Sequence, residues 1–253
     1  MKRALRSIFS SRILARAWAP LTRGRASIFT LHRFAVPDLD VVGRDPAVLR
    51  LVLARLRREG YRLAGLAEML QLVREPGGRS ERVVAFTVDD GYADFALAGA
   101  DAFLAFDCPV TVFVVTGFVD GGLWLWWDQI EHVCLTTAKP ELHVAVAGGV
   151  EWLDLRESGR RRSEAQRLVE RLKAVPEEEK GAVISRLAAA AEVELPARAP
   201  PRYRGLTWDE VRALESRGVR FGPHTVSHPH RFPHIAQMTR ASQRTSIRCA
   251  HGK

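Results

Sequence analysis

From Val83 to Val88 the chain reads VVAFTV, a continuous apolar and β-branched run that ends abruptly at Asp89, Asp90 and Gly91. Such a run suits a strand covered on both faces. Gly91 breaks it, which leaves two carboxylates at the strand's carboxyl end, where α/β folds place their chemistry. Before it, SIFTLHRF from Ser27 predicts a first strand ending in His32. DPAVLRLVLARLRREG follows, with leucines at 49, 51, 53 and 56 among arginines, a surface helix closing on Gly60 and leading into a short strand at 61–63. After the aspartates the pattern predicts a helix from about Asp94 and a strand PVTVFVVT at 109–116. The order β, α, β, α, β implies parallel strands joined by crossover helices.

Between Gly121 and Gly205 the rhythm changes. WLWWDQIEHV is a tryptophan-rich amphipathic segment, and HVAVAGGVEWLDL predicts a hairpin turning at Gly148-Gly149. Two helices follow, one starting at Ser163 with Gln166 completing a capping box, the other begun by Pro176. ELPARAPPRYRG is a proline-rich connector. The segment 121–205 therefore reads as an insertion that decorates the edge of the α/β body. Beyond it Thr207 and Glu210 form another capping-box pattern for TWDEVRALESRG, and VRFG at 219–222 predicts a last short strand, which runs into PHTVSHPH.

Charge changes the picture less than its total implies. The net charge of +9 in 253 residues invites a nucleic-acid reading. Yet residues 1–37 hold eight Lys or Arg and no acid, residues 229–253 hold five and no acid, and the stretch between carries 25 basic against 29 acidic residues. A nucleic-acid domain would carry its basic stripe on the folded body, so that class is disfavoured. In residues 1–26, Leu5, Ile8, Phe9, Ile13 and Trp18 fall near helical spacing among arginines. This basic amphipathic segment either packs on the domain, the favoured reading, or makes weak contact with an anionic membrane surface. Arg12 and Arg16 interrupt any apolar core of signal-peptide length, so no cleavable leader is expected and the expected location is the cytoplasm. Cys108, Cys134 and Cys249 form no C-x-x-C pair and support no thiolate metal site.

Candidate chemistry gathers at two strand ends. Two adjacent anions raise the pKa of one partner unless a cation intervenes. A divalent metal resolves the conflict if one aspartate ligates it and the other remains a base. An ordinary Asp-Gly turn fits the same residues. His224 and His228 stand four apart after the last strand, a spacing that puts two imidazoles on one face of a helical turn, though Pro229 limits that turn. Asp90, His224 and His228 then supply three ligands and leave one position for water, the pattern of a hydrolytic zinc site. His230 and His234 are left out of the site. For His32 a pocket-lining and a structural role weigh equally.

At these residues the chain resembles a family. FTVDDGYAD is similar to the T-F-D-D-G motif, and HTVSHP to the H-[S/T]-x-x-H motif, of the polysaccharide deacetylases with NodB homology, carbohydrate esterase family 4. The resemblance runs from about residue 27 to 230, apart from the insertion; Val88 departs from it where the family has phenylalanine. It implies a distorted (β/α) barrel and metal-dependent removal of acetyl groups, N-acetyl foremost, from a polysaccharide or oligosaccharide. It also implies Zn2+, or another divalent metal such as Co2+, held by Asp90, His224 and His228. Asp89 would be the general base acting on the metal's water, and the backbone N–H of Tyr92 would bind the oxyanion.

The resemblance stops soon after His230. RFPHIAQMTRASQRTSIRCAHGK contains no R-x-x-x-x-P, no tryptophan motif and no L-x-H, the motif that carries the family's general acid, and His251 matches none of them. The expectation is a NodB-like domain over 27–230, incomplete at its C-terminus, followed by an atypical basic tail, 231–253. The alternative function is accordingly an inactive remnant that at most binds metal or carbohydrate.

Overall fold

A computed structural model describes residues 26–74 and 82–229. The N-terminal segment, the basic tail, His230 and His234 lie outside the described residues. The fold is α/β, with a mostly parallel sheet, a separate hairpin and eight α-helices among the described residues. Contacts divide the described residues into two units, the first comprising 26–74, 82–89, 94–113 and 212–221, the second 90–93, 114–211 and 222–229.

The first unit is built on the buried strand Val83–Val88. Strands β1 (Ala26–Leu31), β2 (Arg62–Leu63), β3 (Val83–Val88), β4 (Val110–Val114) and β7 (Arg220–Pro223) form one sheet, in the order β1-β3-β4-β7 with β2 also on β3. The pairs β1·β3, β2·β3 and β3·β4 are parallel, with Leu31 opposite Val88 and Val88 opposite Val112. All six residues of β3 are buried, as a strand flanked by strands and covered on both faces must be. Helices α1 (Pro46–Arg58) and α2 (Leu66–Arg74) make the first connections, α1 starting on the Asp45 carboxylate, which accepts from Ala47 N–H.

After β3 the chain enters a short π-helix (Phe95–Gly99) and then α3 (Ala100–Leu104). Phe34, Phe86, Phe95 and Phe103 interlock above the strand, with ring centroids 5.5 to 6.4 Å apart. Asp94 caps this arrangement from within. Its buried carboxylate accepts from Phe34 N–H at 2.9 Å and pairs with the Arg33 guanidinium.

The second unit contains α4 (Thr116–Val119), α5 (Trp126–Thr136), the antiparallel hairpin β5 (Glu141–Val146) and β6 (Gly149–Asp154), α6 (Ser158–Leu172) and α7 (Glu177–Ala191). The predicted insertion has a core of its own. Leu142, Val144 and Val146 alternate inward along β5 and meet Ile130 and Val133 of α5, Leu168 and Leu172 of α6, and Val183 and Leu187 of α7. Lys180 is buried there with Nζ 2.6 Å from Glu177 and 4.6 Å from the centre of the Trp126 ring.

Two local expectations in this unit are corrected. The hairpin turns at Ala147-Gly148, one residue early, because both hold positive φ (47° and 80°) as a type I′ turn requires. The helix expected from Ser163 starts at Ser158, five residues earlier. Ser163 Oγ donates back to the Arg160 carbonyl and Gln166 pairs with Glu170, so no capping box forms between Ser163 and Gln166. The capping box at Thr207 and Glu210 does form. Glu210 N–H donates to Thr207 Oγ1 at 3.2 Å and Thr207 N–H to Glu210 Oε2 at 2.9 Å, ahead of α8 (Trp208–Ser216). No helix among the described residues is long and apolar enough to cross a membrane.

Candidate metal centre

The end of β3 is not simply an extended strand that stops. Asp89 N–H still donates to Leu31 O at 2.9 Å, in register with the sheet, but Asp90 turns into the left-handed region with φ 72° and Gly91 follows at 82°. The side-chain direction of Asp90 is therefore set by this turn and not by strand alternation. A non-glycine residue held there costs on the order of 1 kcal/mol, a strain usually found where geometry serves function. The turn is stitched in place: Val115 N–H donates to Asp90 O at 3.1 Å, Leu206 N–H to Gly91 O at 2.8 Å and Ala93 N–H to Arg204 O at 3.1 Å. The last two make an antiparallel bridge between Tyr92 and Gly205, so the proline-rich connector clamps the aspartate loop.

His224 and His228 do not share a helical turn. The segment after β7 is a loop with Thr225 (φ 69°) and His228 (φ 54°) both left-handed, which prevents a continuous α-turn. The imidazoles meet because this loop is pinned at its middle. Thr116 N–H donates to Thr225 O and Gly117 N–H to Val226 O at 3.1 and 3.0 Å, His224 N–H donates to Val114 O at 2.8 Å, and Thr225 Oγ1 accepts from His228 N–H at 2.9 Å.

These two loops bring Asp90, His224 and His228 together. One ligand atom from each lies within 4.8 Å of the others. Asp90 Oδ1 stands 3.3 Å from His228 Nε2 and 3.8 Å from His224 Nε2, and the histidine ring centroids are 4.9 Å apart. Metal–ligand bonds of 2.0–2.2 Å at tetrahedral angles place ligand atoms roughly 3.3–3.6 Å from one another, so the set fits one small divalent ion. The burial gradient fits as well: the aspartate side chain is 7% exposed, His228 19% and His224 33%, so an ion held there would be reached from the histidine side. Neither described cysteine belongs to the set, and burial pushes the Cys108 and Cys134 thiols up to about 12.

Asp89 is half-buried just beyond the end of β3, and His32 is exposed just beyond the end of β1. Tyr92 is buried, and its hydroxyl donates to Asp128 Oδ2 at 2.6 Å while accepting from Trp127 Nε1 at 2.7 Å. Trp127 in turn stands edge-to-face against His228, centroids 5.0 Å apart. Sequence reasoning placed neither Trp127 nor Asp128 at the site. The available signal was the W-W-D run opening the tryptophan-rich segment, with no periodicity to show which ring faces the histidines.

No family model matches the sequence, and no curated protein matches it. Among solved structures the chain is similar to a Streptococcus pyogenes deacetylase, PplD, in complex with acetate, at 15% identity and a TM-score of 0.43 over 81% of this chain and 57% of that one. It is similar also to a de-N-acetylase from Aggregatibacter actinomycetemcomitans (15% identity, TM-score 0.39, 79% of this chain and 55% of that one). A third is the BpsB deacetylase domain from Bordetella bronchiseptica (14% identity, TM-score 0.36, 80% and 54%). The chain thus spans little more than half the length of each of these structures, and deacetylases are what it is similar to.

Proposed function

We propose that this chain is a metal-dependent deacetylase that hydrolyses acetyl groups, N-acetyl foremost, on a polysaccharide or oligosaccharide. The observation that carries the reading is the convergence of Asp90, His224 and His228, two motifs distant in sequence, on one set of ligand atoms within 4.8 Å. We propose also that the parallel sheet is an arc of a distorted (β/α) barrel, which accords with chemistry at the carboxyl ends of β3 and β7.

Asp90, His224 and His228 hold the metal. A zinc ion held by one carboxylate and two imidazoles supplies a Lewis acid that activates water and polarises a carbonyl. Asp89, next along the chain and not a ligand, takes the proton from the attacking water. The Tyr92 amide donates to the oxygen on which negative charge develops, a rigid donor fixed by the bridge to Gly205. Water adds to the acetyl carbon, the proton taken up by Asp89 passes to the nitrogen as the C–N bond breaks, and acetate and a free amine leave. A divalent metal of similar preference, such as Co2+, fits the same donors.

The test is acetate release from N-acetylated chito-oligosaccharide by the zinc-loaded protein, with zinc content measured in parallel. Release that disappears in His224→Ala together with stoichiometric zinc supports the reading. A protein that carries one zinc and releases no acetate from N- or O-acetylated glycans overturns the activity and leaves a metal-binding protein.

A further inference from the structure

The metal ligands come from two loops, and a loop residue holds a metal only as well as its supports hold the loop. Backbone hydrogen bonds with Val114, Thr116, Gly117 and Leu206 supply part of that support. A side-chain support comes from the inserted helix α5. Asp128 is buried in the first turn of that helix, where the amide ends favour a carboxylate. It accepts from Tyr92 Oη at 2.6 Å; Tyr92 Oη accepts from Trp127 Nε1 at 2.7 Å; and the indole of Trp127 meets the His228 ring at 76° with 5.0 Å between centroids. Phe118 closes the other side of the Tyr92 ring at 5.1 Å.

We infer that Trp127, with Asp128 and the Tyr92 hydroxyl, is a positioning network for the metal centre, contributed by the inserted segment. The network reaches both halves of the ligand set. Tyr92 lies two residues beyond Asp90, so fixing its ring fixes the turn that aims the Asp90 carboxylate. The contact with Trp127 fixes the rotamer of His228, whose left-handed backbone leaves its ring direction dependent on packing. The hydrogen bond from Nε1 is what locks the indole plane, because an indole can donate only along that one direction. None of the three need touch substrate. Their role is to keep two ligands at the separation one ion requires before it arrives.

The inference rests on the metal-site reading, and the experiment separates the two. Zinc affinity of the purified full chain is measured by competition with a chromophoric chelator, and the Co2+-loaded protein is examined by visible absorption, whose band intensity reports ligand geometry. Trp127→Ala is expected to weaken zinc binding by about 10- to 100-fold and to alter the Co2+ spectrum, while far-UV circular dichroism stays unchanged. Trp127→Phe keeps a ring against His228 and loses the Nε1 donor, so its loss is smaller; it serves where the alanine variant fails to fold. Tyr92→Phe removes the other end of the same hydrogen bond. The double variant Trp127→Phe/Tyr92→Phe should therefore lose little more than the worse single variant, whereas unrelated packing effects would add. Unchanged affinity and Co2+ spectrum in a folded Trp127→Phe and Trp127→Ala, or strictly additive losses, overturn the network and leave the metal site standing. Failure of the unmodified chain to bind zinc or Co2+ overturns both.

Discussion

The backbone N–H of Gly117 donates to the carbonyl of Val226 at 3.0 Å, and a Cβ placed on Gly117 would stand 2.7 Å from that same oxygen. A backbone carbonyl cannot rotate away as a side chain can. Gly117→Ala must therefore push the segment between His224 and His228 off its anchor or lose the hydrogen bond. The expected cost is about 1–3 kcal/mol in stability, together with a fall of about tenfold or more in zinc affinity, although no ligand has changed. Isothermal titration with zinc beside a thermal melt checks it; wild-type affinity in Gly117→Ala would mean that the histidine loop is not held from α4.

Asp89 and Asp90 are expected to separate cleanly in function. Asn accepts the left-handed backbone of Asp90 as readily as Asp does, so Asp90→Asn should fold and yet lose a charged ligand. Zinc binding then falls by orders of magnitude. Asp89→Asn should retain zinc and lose about 10²–10⁴-fold in the rate of acetate release, the range for removing a general base. Equal loss of zinc in the two variants would show the roles to be divided wrongly.

How much of this was legible beforehand follows from which contacts are local. The buried run Val83–Val88 and the Thr207–Glu210 box are readable because burial on both faces and a three-residue cap leave marks in adjacent residues. The choice of Asp90, His224 and His228 rested on resemblance as well as position, and the structure brings those three together. Their route was misread: a four-residue spacing looks helical, whereas two left-handed residues and anchors on Thr116 and Gly117 make the pair. Those anchors are some hundred residues away in sequence, and nothing near the histidines records them. Trp127 was hidden for the same reason, since a W-W-D run does not say which indole turns toward His228.

Asp94 gives a pH signature in the first unit. Burial, the largest effect, raises its carboxyl above the ordinary 3.8, while the Arg33 charge, the Arg33 hydrogen bond and the Phe34 N–H pull it down without fully offsetting the burial. A carboxyl that is harder to ionise in the folded state favours folding while protonated, and that advantage is lost as pH rises through its folded value. Relative to Asp94→Asn, which cannot titrate, the unmodified chain should gain stability as the pH is lowered from above that raised value toward 3.8. Glu210 runs the other way: its hydrogen bonds from Arg204, the largest effect, hold it below the ordinary value, so its contribution is present above that value and fades on acidification. Denaturant melts of Asp94→Asn and Glu210→Gln beside the unmodified chain across the acidic range test both signs, and an unmodified chain that loses stability relative to Asp94→Asn on acidification would show Arg33 outweighing burial.

Zinc itself should act as a stabiliser of the folded chain. Asp90, His224 and His228 belong to one unit and meet only when the loops after β3 and β7 are both in place, so the unfolded chain offers no comparable site. A ligand bound only by the folded state at 100 times its Kd contributes about 2.7 kcal/mol. For a chain of this size each kcal/mol moves the melting temperature by roughly 2–4 °C. Zinc at that excess should raise the melting temperature of the chelator-treated protein by about 5–11 °C. The same addition should do almost nothing to Asp90→Asn, and Asp89→Asn should respond as the unmodified chain does. An equal zinc-dependent rise in all three proteins would place the binding at surface carboxylates or imidazoles and remove the metal from Asp90, His224 and His228.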